Sequence, residues 1–245
     1  MLCQDKVAIV TGAAGKGMGR SIALTLAREG ATIIVNYRAS ADQASAVIKY
    51  IESQGGKALA FQADICQQDQ CKAMYDATVQ IFGRVDICII NPGGGWHTES
   101  IDQLDTTGAL ADVYNEIAPL YNFMPLVLPG MYARKWGRLI GISLLLSMSS
   151  PSFAYDTAKG ARTQALLRAS NEAWHNGITI NVIAPGPVAE ISSLEEAIEL
   201  CEHGPRWHER QNVTPQDIAE GVTWLCSESG RFITGCELPY VFSSE

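Results

Sequence analysis

The sequence predicts an α/β fold: one doubly wound parallel sheet in a single domain spanning residues 1–245. Three observations predict it. Strand-like and helix-like stretches alternate along nearly the whole chain, and parallel strands need crossover connections of that kind. Apolar runs such as Ile87–Ile90 are continuous rather than alternating, the pattern of strands covered on both faces. No linker, low-complexity tract or repeat interrupts the 245 residues, and 47% hydrophobic content is enough for one full core.

The elements follow in order. Val7–Val10 is the first predicted strand, ended by Thr11-Gly12, and a helix runs from about Met18 to Glu29 before Gly30 stops it. Thr32–Val35, rich in β-branched residues, makes the second strand. Ser40 reads as an N-cap with Gln43 completing a capping box. Ala44, Val47, Ile48 and Ile51 then recur at helical spacing as one buried face, and Gly55-Gly56 ends that helix. Leu59–Phe61 is a third strand, Met74, Ala77 and Ile81 a third helical face, and Val85–Ile90 a fourth strand. A long helical stretch between Thr107 and Lys135 is expected to be kinked or interrupted by Pro119, Pro125 and Pro129. Leu139–Leu146 reads as strand, Tyr155–Trp174 as helix and Ile178–Ile183 as strand. Thr214-Pro215 opens the last helix, a cap followed by proline at the first helical position, and a final strand ends near Val241.

Composition excludes several classes. A net charge of −8 and a pI near 5.0 provide no basic surface for nucleic acid or an anionic membrane. The longest apolar run, Leu139–Met148, is about half the roughly 20 residues a spanning helix needs. Met1–Lys6 lacks the basic stretch and apolar core of a secretory leader. Seven cysteines, an odd set with no C-x-x-C pair, read as small buried hydrophobes in a reducing compartment. The expected location is therefore cytoplasmic. His97, His175, His203 and His208 form no i,i+4 pair, and no metal site is expected.

Thr11-Gly12-Ala13-Ala14-Gly15-Lys16-Gly17-Met18-Gly19-Arg20 follows the first strand and opens a helix. Glycine lets the backbone approach a pyrophosphate, and the free N–H groups and helix dipole favour the anion. Gly12, Lys16, Gly17, Met18 and Gly19 are the expected contacts; Gly15 or Gly17 fits the middle glycine, with Gly17 preferred. An ordinary strand-to-helix turn is the alternative. After the second strand, Asn36-Tyr37-Arg38 stands where a carboxylate would bind a ribose 2′-hydroxyl. Arg38, helped by Lys16, suits a 2′-phosphate. NADP is thus favoured over NAD, with two solvated surface cations as the plain alternative.

Tyr155 and Lys159 sit at i,i+4 near the start of a predicted helix, one turn apart on one face. A free phenol, with a pKa of about 10, is a poor base, and a nearby cation is expected to draw it toward phenolate. Alone, the pair also fits a buried tyrosine beside a snorkelling lysine.

From about Lys6 to Val241 the sequence resembles the short-chain dehydrogenase/reductase family. The glycine loop, Ala63-Asp64-Ile65, Asn91 after the fourth strand, Tyr155 with Lys159, Asn181–Val188, Thr214–Ala219 and Phe232–Gly235 appear in the family's order. The 3-oxoacyl-carrier-protein reductase-like members are the most similar in flavour. The resemblance implies a Rossmann-type domain and an NAD(P)-dependent oxidoreductase interconverting a small-molecule carbonyl and an alcohol by hydride transfer. It also implies a homo-oligomer, dimer or tetramer. Asp64 and Ile65 would hold the adenine, and Asn91 and Gly93 would line the adenine-ribose side. Tyr155 would exchange a proton with the substrate oxygen, and Lys159 would bind the nicotinamide ribose and tune the tyrosine. Ser143, or Ser147 in its place, would donate to the substrate carbonyl. Asn115 would anchor a proton relay through water and Lys159. Pro185, Gly186 and Val188 would contact the nicotinamide end.

The match has departures. The glycine loop is one residue longer than the family's usual pattern, and Asn91 is followed by Pro92. Ser143 precedes Tyr155 by 12 positions (155 − 143), one fewer than usual, so Leu144 falls where the serine is normally found. Glu190 replaces a frequent threonine, and Tyr240-Val241-Phe242-Ser243 lacks the usual Asp-Gly-Gly ending. Leu144 and Glu190 favour a second reading, a nucleotide-binding sensor without turnover; lyase or epimerase chemistry on the same fold is a third. Substrate contacts are expected from Trp96, His97, the 144–152 stretch and a lid at about 189–212, which carries Leu194, Ile198, Leu200, Trp207 and His208 among acidic residues.

Overall fold

The computed structural model describes residues 1–91, 99–145, 153–204 and 212–241. Seven strands, β1 (Val7–Val10), β2 (Thr32–Tyr37), β3 (Ala58–Gln62), β4 (Ile87–Ile90), β5 (Gly137–Ile142), β6 (Ile178–Pro185) and β7 (Glu237–Tyr240), form one sheet in the order β3-β2-β1-β4-β5-β6-β7. Every pairing is parallel. The helices are α1 (Met18–Arg28), α2 (Ala41–Ser53), α3 (Gln68–Phe82), α4 (Thr106–Arg134), α5 (Phe153–Ala173), α6 (Leu194–His203) and α7 (Pro215–Cys226).

Strand alternation divides the core into two layers. Ala8, Val10, Ile33 and Val35 pack with Ile22 and Leu26 of α1, Val47 and Ile51 of α2, and Ile218 and Val222 of α7. Ile9, Ile34, Cys88 and Ile90 face the other way, onto Met74 of α3, Phe123 and Val127 of α4, and Leu166 of α5. Both faces are therefore covered, as the continuous apolar strands require. The doubly wound sheet expected from the alternation is the architecture found. Its order reverses between β1 and β4, and ligand crevices in open α/β sheets lie at such a point, beyond the carboxyl ends of the strands.

Three local expectations are corrected. The first concerns α4, which runs unbroken for 29 residues through Pro119, Pro125 and Pro129. Pro119 removes the N–H that would bond the Asn115 carbonyl, and that carbonyl accepts instead from the Cys66 thiol at 3.8 Å. Pro125 and Pro129 lie on the exposed face, where water can satisfy the freed carbonyls. Second, Ser40 does cap α2 by position, but its side chain makes no capping bond. By contrast, Thr214 and Asp217 form a complete capping box on α7. Third, β5 ends at Ile142 rather than reaching Leu146; its main chain still follows β6, through Ser143 N to Ile183 O at 2.7 Å and Leu145 N to Pro185 O at 3.0 Å.

Candidate active site

The loop after β1 turns sharply at Gly12, whose φ of +63° favours glycine. Its amide donates to Asn36 Oδ1 at 3.3 Å, and Asn36 Nδ2 in turn donates to Ala63 O at 3.1 Å. One side chain of β2 thereby ties the glycine loop to the end of β3. Asn91 lies beneath the loop, its amide donating to Thr11 Oγ1 at 2.8 Å. A β-carbon on Gly19 would lie 2.9 Å from Asn91 Nδ2 and closer still to the Gly12 backbone, whereas one on Gly17 would meet nothing within 4 Å. Gly19 is thus required for packing and Gly17 opens outward. Gly17 is also the N-cap of α1, which has no side-chain cap and no acidic residue in its first turn. An anion suits that terminus.

Beside the loop, a cavity of about 320 Å³ brings together Gly12, Asn36, Arg38, Ser40, Asp64 and Ile65, with Asn115 on its wall. Asp64 and Ile65, the residues expected to hold the adenine, both line it. Asp64 accepts from the Cys66 amide at 2.9 Å. No acidic residue stands at the end of β2 to repel a 2′-phosphate; Arg38 does, exposed at the rim, with the uncommitted Ser40 hydroxyl at the start of α2. Lys16 is exposed in the loop, and Met18 packs partly against the core. The open Gly17, the uncapped helix and the arginine at the cavity rim together fit a dinucleotide.

At the other side of the switch point, α5 leaves the carboxyl end of the sheet carrying Tyr155 and Lys159. The Lys159 ammonium lies 5.1 Å from the centre of the Tyr155 ring. Lys159 is 5% exposed. Its Nζ pairs with Glu116 Oε1 at 3.1 Å. The second carboxylate oxygen lies 2.5 Å from Arg162 Nη1, an ion pair at an angle outside hydrogen-bond geometry. Arg162 Nη2 also donates to the Ile142 carbonyl at the end of β5. Burial, first, and the neighbouring Arg162 push the Lys159 ammonium down to about 8, against the pull of Glu116.

The tyrosine shift is the reverse of the sequence expectation. Burial, and next the Glu116 carboxylate, push the Tyr155 phenol up rather than toward phenolate. The cation meant to draw it down is shared with a buried acid. Tyr155 therefore carries its proton, as a donor to a carbonyl oxygen must.

Asn115 faces Cys66, with Oδ1 accepting from the thiol at 3.6 Å, and Glu116, one residue further round α4, stands directly beside Lys159. Ser143 is buried, with Oγ 2.7 Å from Thr163 Oγ1 and 3.3 Å from the Lys159 carbonyl. Ser143 Oγ is thus engaged by two neighbours within the β5–α5 layer, and Leu144, on the opposite side of the chain by alternation, is half-buried. Ser147, Gly93, Trp96, His97, Trp207 and His208 lie outside the described residues.

The segment after β6, expected to contact the nicotinamide end, has these bonds. Pro185 ends β6, the Gly186 amide donates to Tyr240 O at 3.0 Å, and Val188 bridges Val213. Glu190 is exposed. Three site residues escaped the sequence reading: Glu116, Arg162 and Arg20. Arg162 was detectable as a charge at i+3 from Lys159, whereas Glu116 became meaningful only through tertiary contact. Arg20 is buried and donates to the Ile191 carbonyl at 3.4 Å, linking the glycine-loop helix to the segment after β6.

A family model described as enoyl-(acyl carrier protein) reductase matches residues 12–240. The chain belongs to the short-chain dehydrogenase/reductase family. Among relatives of this dehydrogenase/reductase, an uncharacterized oxidoreductase of Methylorubrum extorquens is 34% identical, covering 95% of this chain and 94% of its own. A 3-oxoacyl-(acyl-carrier-protein) reductase of Staphylococcus epidermidis is 32% identical over 94% of this chain and 95% of its own. In structure, this dehydrogenase/reductase is similar to the hydroxysteroid dehydrogenase of Escherichia coli, with a TM-score of 0.80 and 26% identity over 97% of this chain and 96% of that one. Acetoin dehydrogenase of Enterobacter cloacae, at 22% identity, a TM-score of 0.81 and coverage of 98% and 95%, shares the fold. No helix among the described residues is long and apolar enough to cross a membrane.

Proposed function

We propose that this chain is a single-domain oxidoreductase that interconverts a small-molecule carbonyl and an alcohol with NADP(H), Tyr155 acting as general acid/base. The observation that carries the reading is the Tyr155–Lys159 pair: a half-buried phenol and a buried ammonium one turn apart on α5, where α5 leaves the carboxyl end of the sheet. When bound, the dinucleotide supplies or accepts the hydride. Gly12, Gly17 and Gly19 with the α1 terminus would hold its pyrophosphate, Asp64 and Ile65 its adenine, and Pro185, Gly186 and Val188 its other end. Arg38, Ser40 and Lys16 would select the 2′-phosphate form. Tyr155 keeps a proton at the substrate oxygen, and the Lys159 charge beneath the ring favours its departure once the oxygen turns basic. The segment at 189–212 acts as the substrate lid. Seven free cysteines suit a reducing cytoplasm, and homo-oligomerisation follows the family.

The test is a panel of ketones, aldehydes, alcohols, 3-oxoacyl thioesters and oxosteroids with NADPH and NADH. Wild type should turn over at least one member with NADPH, and Tyr155→Phe should lose about 10²–10⁴-fold of that rate. Equal background for both proteins across the panel would remove the enzyme reading.

One observation favours a second reading, a dinucleotide-binding protein with weak or no turnover. Ser143 Oγ is engaged by Thr163 and the Lys159 carbonyl inside the fold, and Leu144 stands next to it where the family has its serine, which weakens the expected donor to the substrate carbonyl. Tight NADPH binding in a fluorescence titration, with no turnover anywhere in the panel, is its signature.

A further inference from the structure

Glu116 lies on the inner face of α4, 3% exposed, and its carboxylate is shared between two cations of α5 that are themselves 5% and 0% exposed. Removing charges from water is costly, and a buried ion cluster persists only where its members compensate one another. Here the Glu116 carboxylate lies between two cations, with the buried Asp112 also facing the cluster. The second cation, Arg162, is anchored independently by the Ile142 carbonyl, so it does not depend on Glu116 for its place. Lys159 is held on one side by Glu116 and faces the Tyr155 ring on the other.

We propose that Glu116 is a positioning residue of the reaction centre: by bridging Lys159 and Arg162 it fixes the ammonium beneath the Tyr155 ring. The inference rests on the Tyr155–Lys159 reading above. The groups facing the cluster are Asp112 and Glu116 from α4, Tyr155, Asp156, Lys159 and Arg162 from α5, and Cys66 from the turn between β3 and α3, which also senses Glu116. Arg162 repels the Lys159 charge and Glu116 attracts it, so the two residues act on it with opposite sign.

The sign therefore gives the test. Lysine side chains labelled with ¹³C at Cε report their titration by NMR in the cofactor-free protein, with the Lys159 signal identified by its loss in Lys159→Arg. Lys159 should titrate at about 8 in wild type. Glu116→Gln should move it down by at least about one pH unit, Arg162→Met should move it up, and Glu116→Asp should keep it near wild type. The alkaline limb of Tyr155-dependent NADPH oxidation should shift in the same directions. The proposal is overturned if Glu116→Gln leaves the Lys159 titration unmoved, or if Glu116→Gln and Arg162→Met shift it the same way. Should both variants unfold, Glu116→Asp decides: a Lys159 titration that moves up rather than staying near wild type overturns it. Loss of the enzyme reading has a different signature, Tyr155→Phe matching wild type on every substrate, whatever Lys159 does.

Discussion

The carbonyl oxygen of Gly12 lies so close to Gly19 that a β-carbon added to Gly19 would stand 2.5 Å from it. The glycine loop closes on itself there, while Gly17 two residues earlier opens onto free space. Gly19→Ala should therefore cost about 1–3 kcal/mol of stability through overpacking and abolish NADPH binding with it. Gly17→Ala should leave the urea midpoint nearly unchanged and still weaken NADPH about tenfold or more, because its methyl takes the space a pyrophosphate needs. A stable Gly19→Ala protein with unaltered NADPH affinity would contradict this account of the loop.

Cofactor choice depends on the rim of the adenine cavity. Arg38 is exposed there and Ser40 makes no capping bond, so both are free for a phosphate. Arg38→Ala should weaken NADPH by about tenfold or more and leave NADH almost unaffected. Parallel fluorescence titrations measure this, and an equal loss for both nucleotides would assign Arg38 a merely general electrostatic role.

The serine question has a direct substitution test. Ser143→Ala removes buried hydrogen bonds to Thr163 and Lys159, so it should cost about 1 kcal/mol of stability while kcat changes little. Leu144→Ser places a hydroxyl on the opposite side of the chain, and should raise kcat about tenfold or more if an added donor stabilises the developing oxyanion. The two kcat values changing in the reverse order would show that Ser143 turns outward during turnover.

Asp86 is fully buried, accepts from the Val7 amide at 3.1 Å, and pairs with Arg84 at 2.7 Å and Arg134 at 3.5 Å. It joins the bases of β1 and β4 to the end of α4, far from the chemistry. Asp86→Asn should lower stability by about 2 kcal/mol, less than a fully buried pair would, because both arginines are partly exposed. Urea unfolding gives the value, and NADPH affinity should stay constant.

Alkaline pH should destabilise the fold. Burial pushes the thiols of Cys3 and Cys71 up to about 12 and that of Cys66 to about 11, and raises Cys88, Cys201 and Cys226 as well, from an ordinary 9.0. A raised folded pKa contributes stability that is complete below the unfolded value and lost as pH climbs toward the folded one. Lys159 acts oppositely between about 8 and its ordinary value, but it is one group against six. Unfolding free energy measured in reductant should therefore fall from pH 9 toward 11. A flat or rising profile would mean that these thiols ionise inside the fold.

Much of the site was legible because it is local. The glycine loop sits between a strand and a helix that its own residues specify, and Tyr155 and Lys159 share a face by helical spacing alone. The Thr214 cap was legible for the same reason: Thr214 and Asp217 are three residues apart and complete each other. Ser40 and Gln43 have the same spacing, yet Ser40 makes no such bond, because spacing permits a capping box without enforcing one. Similarly, Pro119 predicted a break that Cys66 made unnecessary by occupying the freed carbonyl.

By itself the sequence determined the alternation of strands and helices, the glycine turn, the absence of an acid after β2 and the i,i+4 pair of Tyr155 and Lys159. Periodicity and backbone stereochemistry act over a few residues and need no partner. Only the tertiary structure decided that Ser143 is buried against Thr163, that Glu116 meets Lys159, and that the Tyr155 phenol is raised. Those outcomes depend on which way one strand registers against β6 and how α4 is rotated against α5. A single step along either element turns a side chain to a different face.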